Sequence, residues 1–269
     1  MTCSNLTTKL NFFLLSLLGC QNHYDHKSVT QVLSQTFLQK TSRFLLDIIY
    51  PPRCVSCGTT NAWLCQACVG QIAFITEPIC ERCGTVLPDP LKPACRQCEH
   101  NPLQHIEGIR SAAYFENNPI RPAIHFLKYR NHKAVAATLG QILVDTCQRY
   151  HLRADIIVPV PLHLSRLRER GYNQCELLAR ELGVLLGLPV DAHTLQRARS
   201  TKSQMKLGAA ERRQNVVGAF SCSGNTLAGQ RVLLIDDVCT TGSTLDACAE
   251  ALKEAGVASV WGVTLAKAR

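Results

Sequence analysis

The stretch Val232-Leu-Leu-Ile-Asp-Asp-Val-Cys-Thr-Thr-Gly-Ser-Thr244 decides the fold. Val232 to Ile235 are four apolar residues that read as a strand buried in a parallel sheet. Asp236 and Asp237 follow at its expected carboxyl end, then a short loop of threonine and glycine, then a helix predicted to begin near Leu245. In open α/β sheets, ligands bind just outside the carboxyl ends of the strands. A loop of small residues entering a helix N-terminus presents backbone N–H groups and a favourable dipole to a phosphate. Carboxylates beside such a cradle suit ribose hydroxyls or Mg²⁺, because they would repel another phosphate. The segment therefore implies a sugar phosphate held at both ends. The plainer alternative is a Rossmann-like strand-turn-helix with two solvated acids.

Strand, loop and helix also alternate upstream. Ser111 to Glu116 predicts a first strand, and Ile120, Ile124 and Leu127 lie at helical spacing within a helix predicted over 120–130. The basic cluster Lys128, Arg130, His132 and Lys133 ends that helix and fills the turn after it. A second helix is predicted over 134–150, a buried strand over 155–161 ending in a proline-stiffened turn, and a helix over 173–186. Between the last two lies a segment dense in charge, with Arg166, Arg168 and Arg170. Guanidinium forks bind phosphate oxygens in pairs, which suits a pyrophosphate; a solvated charged turn is the alternative. Gly171 to Gln174 also fits a turn and helix cap. Strands are predicted at 194–199, 216–221, 232–235 and 259–265. The polar run 200–215, with Lys202, Lys206, Arg212 and Arg213, fits a hood over the site or a plain surface loop. This alternation predicts an α/β fold with a mostly parallel sheet.

Eight of the 15 cysteines form four Cys-x-x-Cys pairs: Cys54/Cys57, Cys65/Cys68, Cys80/Cys83 and Cys95/Cys98. Two such knuckles present four thiolates to one tetrahedral metal, so four knuckles imply two structural Zn²⁺ ions. Disulfides would suit a secreted chain, and an iron–sulfur cluster would favour other spacings. Sequential pairing, 54/57 with 65/68 and 80/83 with 95/98, is simplest; interleaved pairing fits the spacing too. Closed Cys₄ sites leave no coordination position for catalysis.

The net charge is +9 over 269 residues. From 111 to 230 there are 16 Lys/Arg against 8 Asp/Glu, whereas 49–110 holds 5 of each. That asymmetry favours an anionic ligand, a polyphosphate or a nucleic-acid backbone. With 8 Phe, 6 Tyr and 2 Trp, a broad stacking platform for bases is not expected. No apolar run approaches bilayer-spanning length. Leu10 to Leu18 followed by Gly19-Cys20 resembles a short signal h-region, but the charge before it is sparse and Leu18 is bulky. Residues 1–44 are read as an N-terminal extension, disordered or the product of an upstream start. An amphipathic helix is predicted over 33–49. The protein is expected in the cytoplasm.

The quoted stretch resembles the phosphoribosyl pyrophosphate (PRPP) motif of type I phosphoribosyltransferases. The resemblance implies that Asp236 and Asp237 meet the ribose hydroxyls and that Thr240, Thr241, Gly242, Ser243 and Thr244 hold the 5′-phosphate. It further implies a pyrophosphate grip beside Val160 and Pro161, with one of Arg166, Arg168 and Arg170 meeting the ligand, Arg170 the candidate, and Mg²⁺ arriving with PRPP. One of the two acids would steady the positive charge developing at C1. Taken with Tyr50-Pro-Pro-Arg-Cys54, Pro159-Val-Pro161, Arg170-Gly-Tyr-Asn-Gln174 and the knuckles, residues 45–269 are similar to the ComF family. That likeness implies a double zinc ribbon over 45–108 and a phosphoribosyltransferase-like domain over 109–269. It also implies a role in natural transformation, handling incoming single-stranded DNA with a helicase partner. A recognisable base-reading element is missing from the sequence. Two roles therefore stay open: pentosyl transfer to an unknown acceptor, and a non-catalytic adaptor binding a nucleotide or single-stranded DNA.

Overall fold

The structure, a computed structural model, describes residues 51–129, 134–198, 216 and 218–268. The chain divides into two compact units, Met1–Pro51 and Pro52–Arg269, and the account concerns the second. The expected N-terminal extension, the helix over 33–49, Tyr50, the turn residues Arg130, His132 and Lys133, and the basic run 200–215 lie outside the described residues.

A parallel sheet forms the centre. Its strands are β1 (Gly108–Tyr114), β2 (Ile156–Pro159), β5 (Arg231–Cys239) and β6 (Ser259–Lys267), in the spatial order β1-β6-β5-β2. Two short strands, β3 (Leu195–Arg197) and β4 (Phe220–Cys222), pair antiparallel beside it. Register is regular along the central pair, with Val232 opposite Val260 and Ile235 opposite Val263. Almost every residue of β6 is buried, as expected for a strand covered on both faces.

Helices α3 (Ile120–Tyr129), α4 (Val135–Arg149) and α6 (Gln174–Leu186) belong with one apolar cluster containing Leu127, Leu139, Leu178, Leu233, Ile235 and Val263. Helix α7 (Ser243–Glu254) and the β3–β4 hairpin belong with the other, containing Val232, Leu234, Leu245, Leu252, Val260 and Phe220. Alternate side chains of Val232 to Ile235 thus enter opposite cores, as the two-residue strand period requires. Where α4 meets α6, Gly140 permits a close crossing: a Cβ there would lie 2.8 Å from Glu181 Cβ.

The predicted α/β architecture is present, with two refinements. Helix α5 (Leu164–Arg170) occupies the charged segment, over which no helix is predicted. Gly171 at φ 78° ends it, and the Asn173 side chain accepts from Cys175 N to start α6, so Gly171-Tyr-Asn-Gln174 is both turn and cap. Near Val216 the expected strand begins late, at Phe220.

The knuckle region packs on the same unit. Short helices α1 (Gln66–Val69) and α2 (Arg96–His100) each follow a cysteine, Cys65 or Cys95. Residues 73–75 run antiparallel beside β1, with Ile75 N donating to Ala112 O at 2.9 Å and Tyr114 N to Ala73 O at 3.1 Å. They cover that sheet edge.

Candidate functional site

Strand β5 continues past the two acids to Cys239, placing Asp236 opposite Thr264 and Cys239 opposite Lys267. The acids therefore sit inside the ladder rather than beyond it, and consecutive side chains face opposite ways. The chain then turns through Thr240, Thr241 and Gly242, and α7 begins at Ser243. Gly242 has φ 85°, which favours glycine, and a Cβ would lie 2.7 Å from Ile109 Cδ1. Gly242 offers α7 no capping side chain, while the neighbouring Thr241 Oγ1 accepts from Ser243 N at 3.3 Å. The dipole at this helix start suits an anion. A crevice of about 70 Å³ lies there, lined by Asp236, Thr240, Gly242, Ser243 and Thr244 among others. Thr241 does not line it; its hydroxyl lies 2.7 Å from Ser243 Oγ, and it faces a larger cavity of about 690 Å³ with Lys267 and Tyr114.

Asp237 has a different setting. It is 3% exposed. Lys128 Nζ lies 2.6 Å from its Oδ1, and Gln174 Nε2 donates to its Oδ2 at 2.6 Å. Arg170 donates in turn to Gln174 Oε1 and stacks over the Tyr129 ring at 5.2 Å. Burial by itself would lower Lys128, but Asp237, with Asp236 behind it, holds the ammonium above its ordinary value. Of the three arginines, Arg170 alone enters this chain of contacts; Arg166 pairs with Glu169 at 3.1 Å on an exposed face. Val160 is buried, its N–H donating to Ile235 O and its carbonyl accepting from Asn173 Nδ2, while Pro161 is half-buried. The structure thus joins Asp237 to Arg170 through Gln174, and places Asp236 in the crevice at the start of α7. Lys128, Gln174 and Cys175 are additions to the sequence-derived site. The position of Lys128 at the end of a basic helix was its one signal, and Gln174 lay within the quoted Arg170–Gln174 motif.

Cys175 Sγ donates to Asp236 Oδ1 at 3.3 Å, and Asp237 N donates to the same oxygen at 2.8 Å. Burial first, then the charge of Asp237, pushes Asp236 up to about 7. Burial and both acids push the Cys175 thiol well above its ordinary value. One atom from each of Cys175, Asp236 and Asp237 lies within 4.8 Å of the others. This trio does not fit Mg²⁺ as a self-sufficient site. Mg²⁺ wants hard oxygens, the thiol stays protonated, and Asp237 is already engaged by an ammonium.

The cysteines assemble sequentially. Sulfurs of Cys54, Cys57, Cys65 and Cys68 lie within 4.8 Å of one another, as do those of Cys80, Cys83, Cys95 and Cys98. The Cys57–Cys65 and Cys83–Cys95 sulfurs are each 3.6 Å apart. Tetrahedral Zn–S bonds of about 2.3 Å place sulfurs roughly 3.8 Å apart, so both groups fit structural Zn²⁺. Burial opposes ionisation of Cys54, but the amides of Cys57, Cys65 and Ser56 outweigh it and lower the thiol to about 6. At Cys83 the Cys98 thiol is the largest influence lowering it, with Lys267 assisting against burial. Cys95 is raised, mainly by burial, and Cys98 mainly by its contact with Cys83, so Zn²⁺ would complete the ionisation of these groups on binding.

Residues 45–99 match the double zinc ribbon domain family, and residues 168–269 match the phosphoribosyl transferase domain family. The chain is 33% identical to Competence protein F of Haemophilus influenzae over 227 residues, 80% of this chain and 97% of that protein. It is 30% identical to the DNA utilization protein YhgH of Escherichia coli K12, over 73% of this chain and 87% of that one. Against Competence protein ComFC of Bacillus subtilis the identity is 27%, over 89% and 95% respectively. Similarity to solved structures is slighter. The Bacillus subtilis glutamine phosphoribosylpyrophosphate amidotransferase matches at TM-score 0.37 and 20% identity, over 53% of this chain and 30% of that one.

Proposed function

The chain belongs to the ComF family, and we propose on that basis that it binds a 5-phosphorylated pentose, with PRPP the leading candidate, at the end of β5. One observation carries the reading: a carboxylate, Asp236, and the N-terminus of α7 bound the same crevice. The turn amides and the hydroxyls of Thr240, Ser243 and Thr244 receive the 5′-phosphate. Asp236 accepts from a ribose hydroxyl. Mg²⁺ would supply charge neutralisation to the pyrophosphate, arriving on the ligand's own phosphate oxygens, with Asp236 the one protein carboxylate facing the crevice.

Catalysis by pentosyl transfer asks for Asp237 as well. Lys128 pairs with that acid and Arg170 reaches it through Gln174, and they are the cations suited to a departing pyrophosphate. When pyrophosphate draws Lys128 away, Asp237 is released toward the sugar and becomes able to steady positive charge at C1.

A specific observation favours a second reading. Asp237 is buried and doubly engaged, so the pocket as it stands presents one carboxylate rather than two. In that reading the chain is a non-catalytic adaptor. Its crevice takes a nucleotide end, and its basic face holds single-stranded DNA electrostatically during competence-related DNA handling in the cytoplasm.

One experiment tests both. The purified zinc-loaded protein is titrated with PRPP and Mg²⁺ by calorimetry, and pyrophosphate release is followed with nucleobases or DNA as acceptors. Wild type is compared with Asp236→Asn and Asp237→Asn. Binding lost in Asp236→Asn supports the sugar-phosphate site. Release that depends on Asp237 supports transfer; binding without release supports the adaptor. Wild type that does not bind PRPP at millimolar concentration overturns the PRPP reading.

A further inference from the structure

Lys267, the last residue of β6, lies outside every motif described above. It is 7% exposed, and no carboxylate pairs with it among the described residues. Its ammonium instead donates to Cys83 O at 3.0 Å, reaches Thr240 O at 3.5 Å, and lies 4.0 Å from Cys239 Sγ. Cys83 is a ligand of the second tetracysteine group, and Thr240 opens the phosphate loop. One side chain therefore touches both.

A buried ammonium without a counter-charge is costly. Four thiolates around one Zn²⁺ carry a net charge of minus two, and that anion is beside Lys267. Other contacts run the same way. Ile109 N donates to Arg82 O at 2.7 Å, and the Ile109 side chain packs where Gly242 turns the loop. Asp246, in the first turn of α7, accepts from Gln104 N, His105 N and Ile106 N, the chain that leads from the second group into β1. The first group, Cys54 to Cys68, packs instead with Leu64 and Ile72 in the opposite core cluster, together with α3 and α4.

We propose that Lys267 is a positioning residue through which zinc at Cys80, Cys83, Cys95 and Cys98 supports the phosphate loop, so that zinc binding there and sugar-phosphate binding are reciprocally linked. The zinc–thiolate anion holds the ammonium in place, and the ammonium holds Thr240. Occupation of the loop by a phosphate then tightens zinc at the second group and leaves the first unaffected. The link to the ligand rests on the sugar-phosphate reading; the support of the loop does not.

The test uses the full-length zinc-loaded protein. Backbone amide exchange over 240–244 is read by peptide mapping, because Cys239 lies 4.0 Å from the Lys267 ammonium and would respond to its loss directly. The variants are Cys57→Ser, Cys95→Ser and Lys267→Met, with zinc content measured in each. The expected result is at least about tenfold faster exchange in Cys95→Ser and in Lys267→Met, the latter keeping both zinc ions, with Cys57→Ser like wild type. A Lys267→Met rate equal to wild type overturns the proposal, even if Cys95→Ser fails to fold. So does equal acceleration in Cys57→Ser. In a second arm, PRPP with Mg²⁺ slows the same exchange in wild type. If calorimetry shows PRPP bound while the exchange is unchanged, the reciprocal link falls; if PRPP does not bind, the sugar-phosphate reading falls and the support of the loop stands.

Discussion

Lys128 Nζ sits 2.6 Å from Asp237 Oδ1, an ion pair whose carboxylate is 4% exposed and whose ammonium is 22% exposed. The pair joins the end of α3 to the middle of β5 and closes over the acid that pentosyl transfer would use. Removing the cation leaves Asp237 buried with Gln174 as its remaining side-chain partner. Lys128→Met should therefore destabilise the protein by about 3 kcal/mol, the usual order for breaking a buried pair from one side. The double change Lys128→Met/Asp237→Asn should recover a large part of that loss. Urea unfolding of the two single variants and the double gives the coupling directly. Additive losses would show that the contact carries little energy.

Asp236 makes stability depend on pH in a stated direction. Its ordinary value is 3.8, and burial with the Asp237 charge raises it to about 7 in the folded protein. Between about pH 4 and pH 7 the folded state keeps a proton that the unfolded chain has released. Stability from this group is therefore lost as pH rises through that window. Asp236→Asn has no such proton to lose. The urea midpoint of wild type relative to the variant should fall between pH 5.5 and pH 8. Zinc loss at the acid end affects both proteins alike and cancels in the comparison. Parallel midpoints would remove the raised value.

Gly242 meets two separate demands. A side chain there must adopt φ 85° and must also displace Ile109 Cδ1, 2.7 Å from the added Cβ. Gly242→Ala should cost at least about 1 kcal/mol from the backbone alone. It should also weaken PRPP binding more than Gly256→Ala does. Gly256 has φ 84°, and a Cβ there would make only ordinary contact, 3.4 Å from Ala228 Cβ. Thermal unfolding and calorimetric titration of both variants separate the general strain from the local displacement.

Metal analysis of the intact chain should return about two zinc ions, since two separate tetracysteine groups are present. Cys57→Ser and Cys95→Ser should each retain one. A single zinc in wild type, or its complete loss from either variant, would contradict independent sites.

Much of the site was legible because its signals are local. A Cys-x-x-Cys pair makes a knuckle through two intervening residues, and a Thr-Gly turn before a helix makes an anion cradle through consecutive amides. The placement of Asp236 and the loop followed from such spacing, as did Asn173 and Gly171 at the ends of helices. Helix α5 was missed because Leu164-Ser-Arg-Leu-Arg-Glu-Arg170 has no buried face, and apolar periodicity is the signal that identifies a helix. The equal treatment of Asp236 and Asp237 was also a product of local reading. Neighbours on a strand face opposite sides, and each then meets a different core.

The α/β alternation and the cysteines for two metal sites could be read directly from the chain, because each is written in residues a few positions apart. Which knuckles share a site, the closure of Lys128 over Asp237, and the contact of Lys267 with both Cys83 and Thr240 emerge from the folded arrangement. Those contacts join segments far apart in the chain. Their energies arise from burying charge in a packed interior, which no local spacing encodes.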